Sequence, residues 1–409
     1  MVHADPKPLL DELEKKGDQL SIVTLVDHLV VYAQALGASD IHIDPTESNV
    51  RVRMRVDGVL QNCCTFPKEI QNEVIARVKV LSGLRTDEHN APQDGRFRRK
   101  GDSESEVVDV RVSIAPTYYG ENVVMRLLTD RAAQLTLDAL GFSPSDRAKI
   151  ERAIKMTSGM ILSTGPTGSG KTTTLYTLIK MLNSDDISIV TIEDPIEYAI
   201  SGIEQIQVNP QGGLTFANGL RSILRQDPNV IMVGEIRDSE TAGIAVNTAL
   251  TGHLLLSTLH TNDAATTLPR LLDMKIEPYL VASTVAVAIG QRLVRRLCSA
   301  CKESYLPSEA ERIGLSESLP KDVPLMTGEL YRGVGCDECV GTGYRGRVGV
   351  NEVLVIDDEI REAILKKASA SDIRTIAIEN GMTTMLNDGI QKATTGETTI
   401  AEVLRVIHE

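Results

Sequence analysis

Two hydrophobic periodicities divide this chain. From Ile22 to Leu36 the apolar residues Ile22, Leu25, Val26, Leu29, Val30, Ala33 and Leu36 recur at helical spacing, and Gly37 stands where a left-handed C-cap would end the helix. The period then switches to two. Asp40-Ile41-His42-Ile43-Asp44 and the run Val50 to Val56 predict strands, the second with Val50, Val52, Met54 and Val56 on one face and Arg51, Arg53 and Arg55 on the other. An Asp57-Gly58 turn follows it. A helix over 68–81, a turn-rich Asp94-Gly95-Arg96 and strands near 107–114 and 122–128 complete a small α+β domain over 20–130. The charged, proline-containing residues 1–19 read as an arm or linker, and 131–144, punctuated by Gly141 and Pro144, as a hinge. Beyond it, apolar runs at 160–164, 187–192, 230–233 and 253–259 alternate with helical patterns, which predicts an α/β domain over 145–297 with a largely parallel sheet. Residues 298–345 form a cysteine-bearing subdomain, and 346–409 read as mostly helical.

Composition agrees with a multidomain globular chain. At 409 residues it exceeds one ordinary core, and its 42% hydrophobic and 24% charged residues are typical of folded proteins. Trp is absent and aromatics are 3%, so the cores rest on Ile, Leu, Val and Met. No apolar stretch approaches the ~18–20 residues of a spanning helix, and the N-terminus lacks the basic and apolar regions of a signal peptide, which predicts a cytoplasmic protein. A formal net charge of -13 argues against coating nucleic acid.

The strongest chemical signal is Gly165-Pro166-Thr167-Gly168-Ser169-Gly170-Lys171-Thr172, which fills every fixed position of G-x-x-x-x-G-K-[ST] between a predicted strand and a predicted helix. The glycines let backbone N–H groups turn inward around phosphates. Lys171 is placed to reach the β and γ phosphates and the Thr172 hydroxyl to hold Mg²⁺, with Thr173 opening the helix behind them. ATP and Mg²⁺ are the predicted ligands. A hydrolase also needs acids beside the metal and the water. Thr191-Ile192-Glu193-Asp194-Pro195-Ile196-Glu197 follows one strand, and Val230 to Val233 followed by Gly234-Glu235 resembles a Walker B strand with glycine where the metal-linked Asp often stands. Glu235 then serves the metal or the water itself, with Glu197 the candidate for the base role in the first case and Glu193 and Asp194 in the nucleotide site.

Further candidates are polar groups flanking these strands. His253 and His260 bracket the strand Leu254 to Leu259 and are candidates to sense the γ-phosphate, with a structural role as the alternative. Arg221 and Arg225 stand one turn apart on a helix over 216–226 and suit a phosphate of an adjoining subunit; two exposed surface arginines are the alternative. Arg96 and Arg111, in the first domain, are placed to face a neighbouring nucleotide, against the alternative of a solvated sheet face.

Cys298-x-x-Cys301 and Cys336-x-x-Cys339 are separated by residues 302–335 and match a Cys₄ zinc site, although the spacer exceeds that of common zinc ribbons. One disulfide within each pair is the competing reading, but it closes only tiny loops and would be reduced in cytoplasm. Cys63 and Cys64 read as ordinary strand residues.

Together these stretches resemble the secretion ATPases of bacterial type II secretion and type IV pilus assembly, the GspE/PilB family. The resemblance runs from about residue 20 onward. It is carried by Ala38-Ser39-Asp40-Ile41-His42-Ile43, Arg55-Val56-Asp57-Gly58, Gln93-Asp94-Gly95-Arg96, the phosphate loop, Glu193 to Tyr198 (the family's Asp box), Val233 to Asp238 (its Walker B) and Gly252 to Asp263 (its His box). It implies a RecA-like motor domain, a preceding PAS-like domain that contributes arginines to ATP, and a homo-hexamer. Glu197 then matches the proposed base and Glu235 the Walker B acid. It further implies partnership with an inner-membrane platform protein and a membrane-anchored docking protein, peripheral to the inner membrane. Full-length members often carry a further N-terminal docking domain, so the start of this chain puts that contact in doubt. A DNA-uptake or conjugation ATPase is the related alternative, and a scaffold that binds ATP without turnover the unrelated one; Lys171, Glu197 and Glu235 argue against the scaffold.

Overall fold

Alternation and helical spacing become a six-stranded antiparallel sheet and a seven-stranded mixed one. The computed structural model describes residues 5–15, 17–100, 107–128, 135–318 and 328–408. The chain divides into two units, 1–131 and 132–409.

In the first unit, α1 (Lys7–Glu14), α2 (Ile22–Leu36), β1 (Ala38–Pro45), β2 (Asn49–Val56), β3 (Val59–Pro67), α3 (Gln71–Leu81), β4 (Gln93–Lys100), β5 (Val107–Thr117) and β6 (Gly120–Leu128) follow in order. Gly37 is left-handed, as the C-cap requires, and Ser21 caps the other end of α2 by accepting from the Thr24 N–H. The strands lie in the order β3-β2-β1-β6-β5-β4, every neighbouring pair antiparallel. Ile41, Ile43, Val50, Val52, Met54, Val110, Val112, Val123 and Met125 form one core with the apolar faces of α2 and α3.

Two expectations fail here. Residues 7–14 are not an arm, because Leu9 is buried in this core with Leu13 packed beside it. Asp94-Gly95-Arg96 is not a turn but part of β4. A Cβ on Gly95 would stand 2.8 Å from the Ser82 carbonyl oxygen, so the glycine serves a close approach of two backbones within the unit.

The second unit is built on α4 (Pro144–Ala153), β7 (Gly159–Thr164), α5 (Lys171–Leu182), β8 (Ile189–Glu193), β9 (Glu204–Gln207), α6 (Phe216–Ile223), β10 (Val230–Val233), α7 (Ser239–Leu250), β11 (Leu254–Leu259), α8 (Thr267–Asp273), α9 (Pro278–Thr284) and β12 (Val285–Leu297). It continues through β13 (Lys302–Tyr305), α10 (Glu309–Ser318), β14 (Leu330–Gly333) and β15 (Tyr344–Val355) to α11 (Asp358–Leu365), α12 (Ala370–Glu379), α13 (Met385–Thr394) and α14 (Ile400–His408). The sheet order is β15-β12-β7-β11-β10-β8-β9, parallel throughout except where β15 runs against β12. Residues on alternate faces enter two cores, one around Leu162, Val233 and Leu255 and one around Ile161, Met232 and Leu256. This sheet therefore has helices on both faces, as an α/β fold requires.

β12 ends at Leu297, at the expected 297/298 limit, but β15 begins at Tyr344, so the limit at 345/346 needs correcting: the cysteine region leads straight into a strand of the main sheet, and the C-terminal region opens within that strand. Residues 131–134 of the expected hinge lie outside the described residues, while Leu137, Leu140 and Phe142 are buried in the second unit. Among the described residues no helix is long and apolar enough to cross a membrane.

Candidate functional site

Because β7, β11, β10 and β8 are parallel, their carboxyl ends align. Thr164 stands opposite Leu259, and Val233 opposite both Ser257 and Ile192. The phosphate loop leaves β7 at this edge and enters α5 through Gly170, which is left-handed and offers no side-chain cap. The first-turn N–H groups of α5 thus remain available to an anion. A Cβ on Gly165 would stand 2.4 Å from the Gln291 carbonyl oxygen, so the loop lies directly on β12. Lys171 is buried and donates to the carbonyls of Gly165 (2.8 Å) and Pro166 (2.9 Å), across the base of the loop. Burial lowers its pKa to about 8, and the charge of Glu235 opposes that shift.

Glu235 follows β10 at the same edge. Its carboxylate is paired with the Arg237 guanidinium and lies 3.2 Å from His260 Nε2. A Cβ on Gly234 would lie 3.3 Å from Glu193 Cα and from the Ile192 carbonyl oxygen, at the end of β8, so the glycine sits in a tight approach of β10 to β8. The turn after β11 is tied to β7: the Thr164 hydroxyl accepts from the Thr261 N–H at 3.1 Å and makes a short contact with the Thr261 hydroxyl.

His253 is the clear correction. It precedes β11 at the end aligned with Gly159, a full strand away from the phosphate loop, and its Nδ1 lies 3.1 Å from the Thr248 carbonyl oxygen at the end of α7. A strand of this length spans roughly 20 Å, so His253 cannot share a site with Lys171. His260, at the carboxyl end, is the member of the pair that joins Glu235.

Glu193 also differs from expectation. It is buried and receives the Thr191 hydroxyl at 2.6 Å, the Gln205 amide at 3.2 Å and the Tyr176 hydroxyl. Burial pushes its carboxyl above the usual carboxylate range, opposed by these hydrogen bonds. With its oxygens taken by protein donors, it braces the segment behind it instead of facing a nucleotide. Asp194 is exposed and Glu197 half-buried on that segment.

The arginines fall into two sets. In the second unit Arg221 lies on α6, paired with Glu240 at 2.7 Å, and Arg225 just beyond α6 donates to the Arg221 carbonyl at 3.0 Å; both are exposed. In the first unit Arg96 faces Arg111 across β4 and β5, and Arg111 faces Arg126 across β5 and β6. Arg126 carries no signal of its own in the sequence. It completes a row of three like charges that closes on Asp40, at 3.0 Å from Arg126 Nε. Like charges directly opposite one another cost stability unless something anionic offsets them. Asp40 offsets one end of the row.

The four cysteines converge. Their sulfurs all lie within 4.8 Å of one another, with 3.8 Å between Cys298 and Cys336, 3.8 Å between Cys301 and Cys339, and 3.7 Å between Cys336 and Cys339. A tetrahedron with metal–sulfur bonds of about 2.3 Å has edges of about 3.8 Å, so the donors fit a tetrahedral thiophilic ion. They do not fit disulfides, which need about 2.05 Å. Backbone N–H groups of Cys336 and Gly343 both point at Cys339 Sγ from 3.2 Å, as around a thiolate. The long spacer is explained by β13 and β14, which pair with each other, and by α10 between them.

Comparison with known proteins agrees with this geometry. The family described as type II/IV secretion system protein matches residues 14–405. The chain is 47% identical over 402 residues to the type IV pilus assembly ATPase PilB of Thermus thermophilus, across 98% of this chain and 44% of that relative. It is 46% identical over 404 residues to type II secretion system protein E of Xanthomonas campestris pv. campestris, across 98% of this chain and 70% of that one. The chain thus spans less than half the length of the Thermus relative. Among solved structures, the pilus retraction motor PilT with bound ADP superposes with a TM-score of 0.60 at 25% identity, covering 92% of this chain and 95% of that one. The ATPase DotB of Legionella pneumophila has a TM-score of 0.68 at 23% identity, covering 97% and 98%, a likeness of fold.

Proposed function

Because this chain belongs to the type II/IV secretion system protein family, we propose that it is the ATP-hydrolysing motor of a type IV pilus assembly or type II secretion machine. The observation that carries this reading is the meeting of a complete phosphate loop with Glu235 and His260 at one edge of the sheet. Relatives named for pilus assembly and for type II secretion are equally similar to it, so the choice between the two machines stays with the partners.

In this reading Gly165, Pro166, Thr167, Gly168, Ser169 and Gly170 wrap the phosphates with backbone N–H groups, and Lys171 exchanges its loop carbonyls for phosphate oxygens. The Thr172 hydroxyl and Glu235 hold Mg²⁺, which would supply charge neutralisation at the phosphates. Thr173 and Asp194 line the approach, and Glu197 orients the attacking water. Arg96 and Arg111 of a PAS-like first domain, with Arg221 and Arg225 of an adjoining subunit of a homo-hexamer, supply the remaining positive charge. The ring works in the cytoplasm against an inner-membrane platform protein. The scaffold alternative would bind ATP without turnover, and hydrolysis by the purified chain would decide against it.

Lys171 gives a pH signature. Its pKa is about 8 in the protein and rises when phosphate anions approach, since they favour the charged form. Binding therefore takes up a proton above that pH. Affinity for an ATP analogue should be flat below pH 8 and fall by roughly tenfold per pH unit above it, until the pKa of the bound state is reached. Calorimetric titrations between pH 7 and 9.5 check this; a flat profile would remove Lys171 from the phosphates.

Zinc is the proposed occupant of the cysteine tetrahedron. Protein purified without chelators should carry one zinc per chain by elemental analysis. Cys339→Ser should lose it and make the 298–345 region sensitive to proteolysis. Metal-free protein containing two intrachain disulfides would reject the assignment.

A further inference from the structure

Tyr176 lies five residues after Lys171 on α5, about 7.5 Å along the helix axis. Its ring is fully buried and packs edge-on against Tyr198, with centroids 4.7 Å apart. Its hydroxyl donates to Glu193 and accepts the backbone N–H of Glu197 at 3.2 Å. A phenol has one proton and free lone pairs, so with its proton committed to the Glu193 carboxylate the lone pair is left for the amide. The direction of the relay is thereby fixed. Glu193 is held in turn by Thr191 and Gln205. Gln205 also receives the Ile200 N–H at 2.7 Å and donates to the Tyr198 carbonyl at 3.2 Å. The segment from Asp194 to Ile200 is thus tied from inside to the helix that carries Lys171.

We propose that the Tyr176 hydroxyl is a positioning group, which sets the backbone of Glu197 against the phosphate loop so that loop and base keep one spacing. This rests on the reading of the chain as an ATPase in which Glu197 orients water. Phenylalanine would fill the same volume, so apolar packing gives no reason for a hydroxyl at the centre of a core. Its burial is compensated by the two bonds just described. One of these ends on the amide of the candidate base. Because α5 moves as a rigid element, a shift at the loop is carried to Glu197, and a misplacement of about 1 Å at a reacting group can cost about 10²-fold in rate.

The test compares the full chain with Tyr176→Phe and, as a second variant, Glu193→Gln, which keeps an acceptor for the phenol. Three quantities are measured: steady-state ATP hydrolysis, affinity for a non-hydrolysable ATP analogue, and backbone amide hydrogen exchange. In Tyr176→Phe, kcat should fall by about 10–10²-fold while KM and analogue affinity stay within about threefold. Amide exchange should accelerate in 194–200 and nowhere else in the second unit. Glu193→Gln should shift all readouts in the same direction by less, and it carries the test if the phenylalanine variant does not fold. Wild-type kcat with unchanged exchange at Glu197 would overturn the proposal. So would faster exchange throughout the unit with loss of analogue binding, which marks a merely structural tyrosine. If the wild-type chain hydrolyses no ATP but exchange at Glu197 still rises in Tyr176→Phe, the ATPase reading fails and the link from hydroxyl to amide stands.

Discussion

Lys171→Ala and Glu235→Gln should each abolish Mg²⁺-dependent ATP hydrolysis, with expected losses of about 10²–10³-fold or more in kcat. The two losses have different causes. Lys171 is the loop's own positive charge against the phosphates, and its buried ammonium already sits across the loop on the Gly165 and Pro166 carbonyls. Alanine removes that charge and should weaken nucleotide binding as well as turnover. Glu235→Gln keeps shape but leaves Arg237 and His260 facing a neutral amide, and it removes the anionic oxygen on the metal side. It should spare nucleotide binding more than turnover. The measurement is phosphate release with and without Mg²⁺, beside analogue binding and thermal unfolding to show that both variants fold. Wild-type rates in either variant would sink the assignment of that residue.

What the sequence revealed most clearly was whatever backbone chemistry dictates. The phosphate loop was legible because its glycines, lysine and threonine each answer to a separate requirement, and the two cysteine pairs because thiolates at that spacing have few other uses. The glycine of Val233-Gly234-Glu235 reads as a departure from the usual acid, and only the close approach of Glu193 Cα shows how tight the space for a side chain is there. For His253 the deciding signal is present in the sequence. Ligands gather at the carboxyl ends of parallel strands, and His253 precedes its strand. For Glu193 the sequence carries no such signal: its three protein donors come from β8, β9 and α5, and no local pattern announces them. Arg126 and Tyr176 were invisible for similar reasons. The first needs the register of β5 against β6, and the second is one apolar position among several on α5. β12 is masked in the sequence because polar Gln291 and Arg292 are buried within it, against the usual association of polarity with exposure.

Mixing two inactive chains should restore hydrolysis if the arginines act between subunits. The loop supplies a single lysine, and within its own unit the adjacent Glu235 is already paired with Arg237 and His260. Further positive charge must come from elsewhere to compensate a triphosphate. Arg221 and Arg225 are exposed, and the pairing of Arg221 with Glu240 is a surface ion pair of the kind worth about 0–1 kcal/mol, so either side chain can be redirected at little cost. Arg225→Ala should therefore leave folding and most nucleotide binding intact while lowering turnover by about 10³-fold, as removal of an arginine finger does. A Lys171→Ala chain cannot use its own loop but still presents Arg225; an Arg225→Ala chain has the loop and lacks the arginine. In mixed rings some intact loops face intact arginines, and activity should rise well above that of either protein alone, to a maximum set by the mixing ratio. Arg221→Ala should behave as Arg225→Ala does. If the arginines act within their own chain, or only decorate the surface of α6, mixing gives the average of the two inactive proteins, and the assignment between subunits falls.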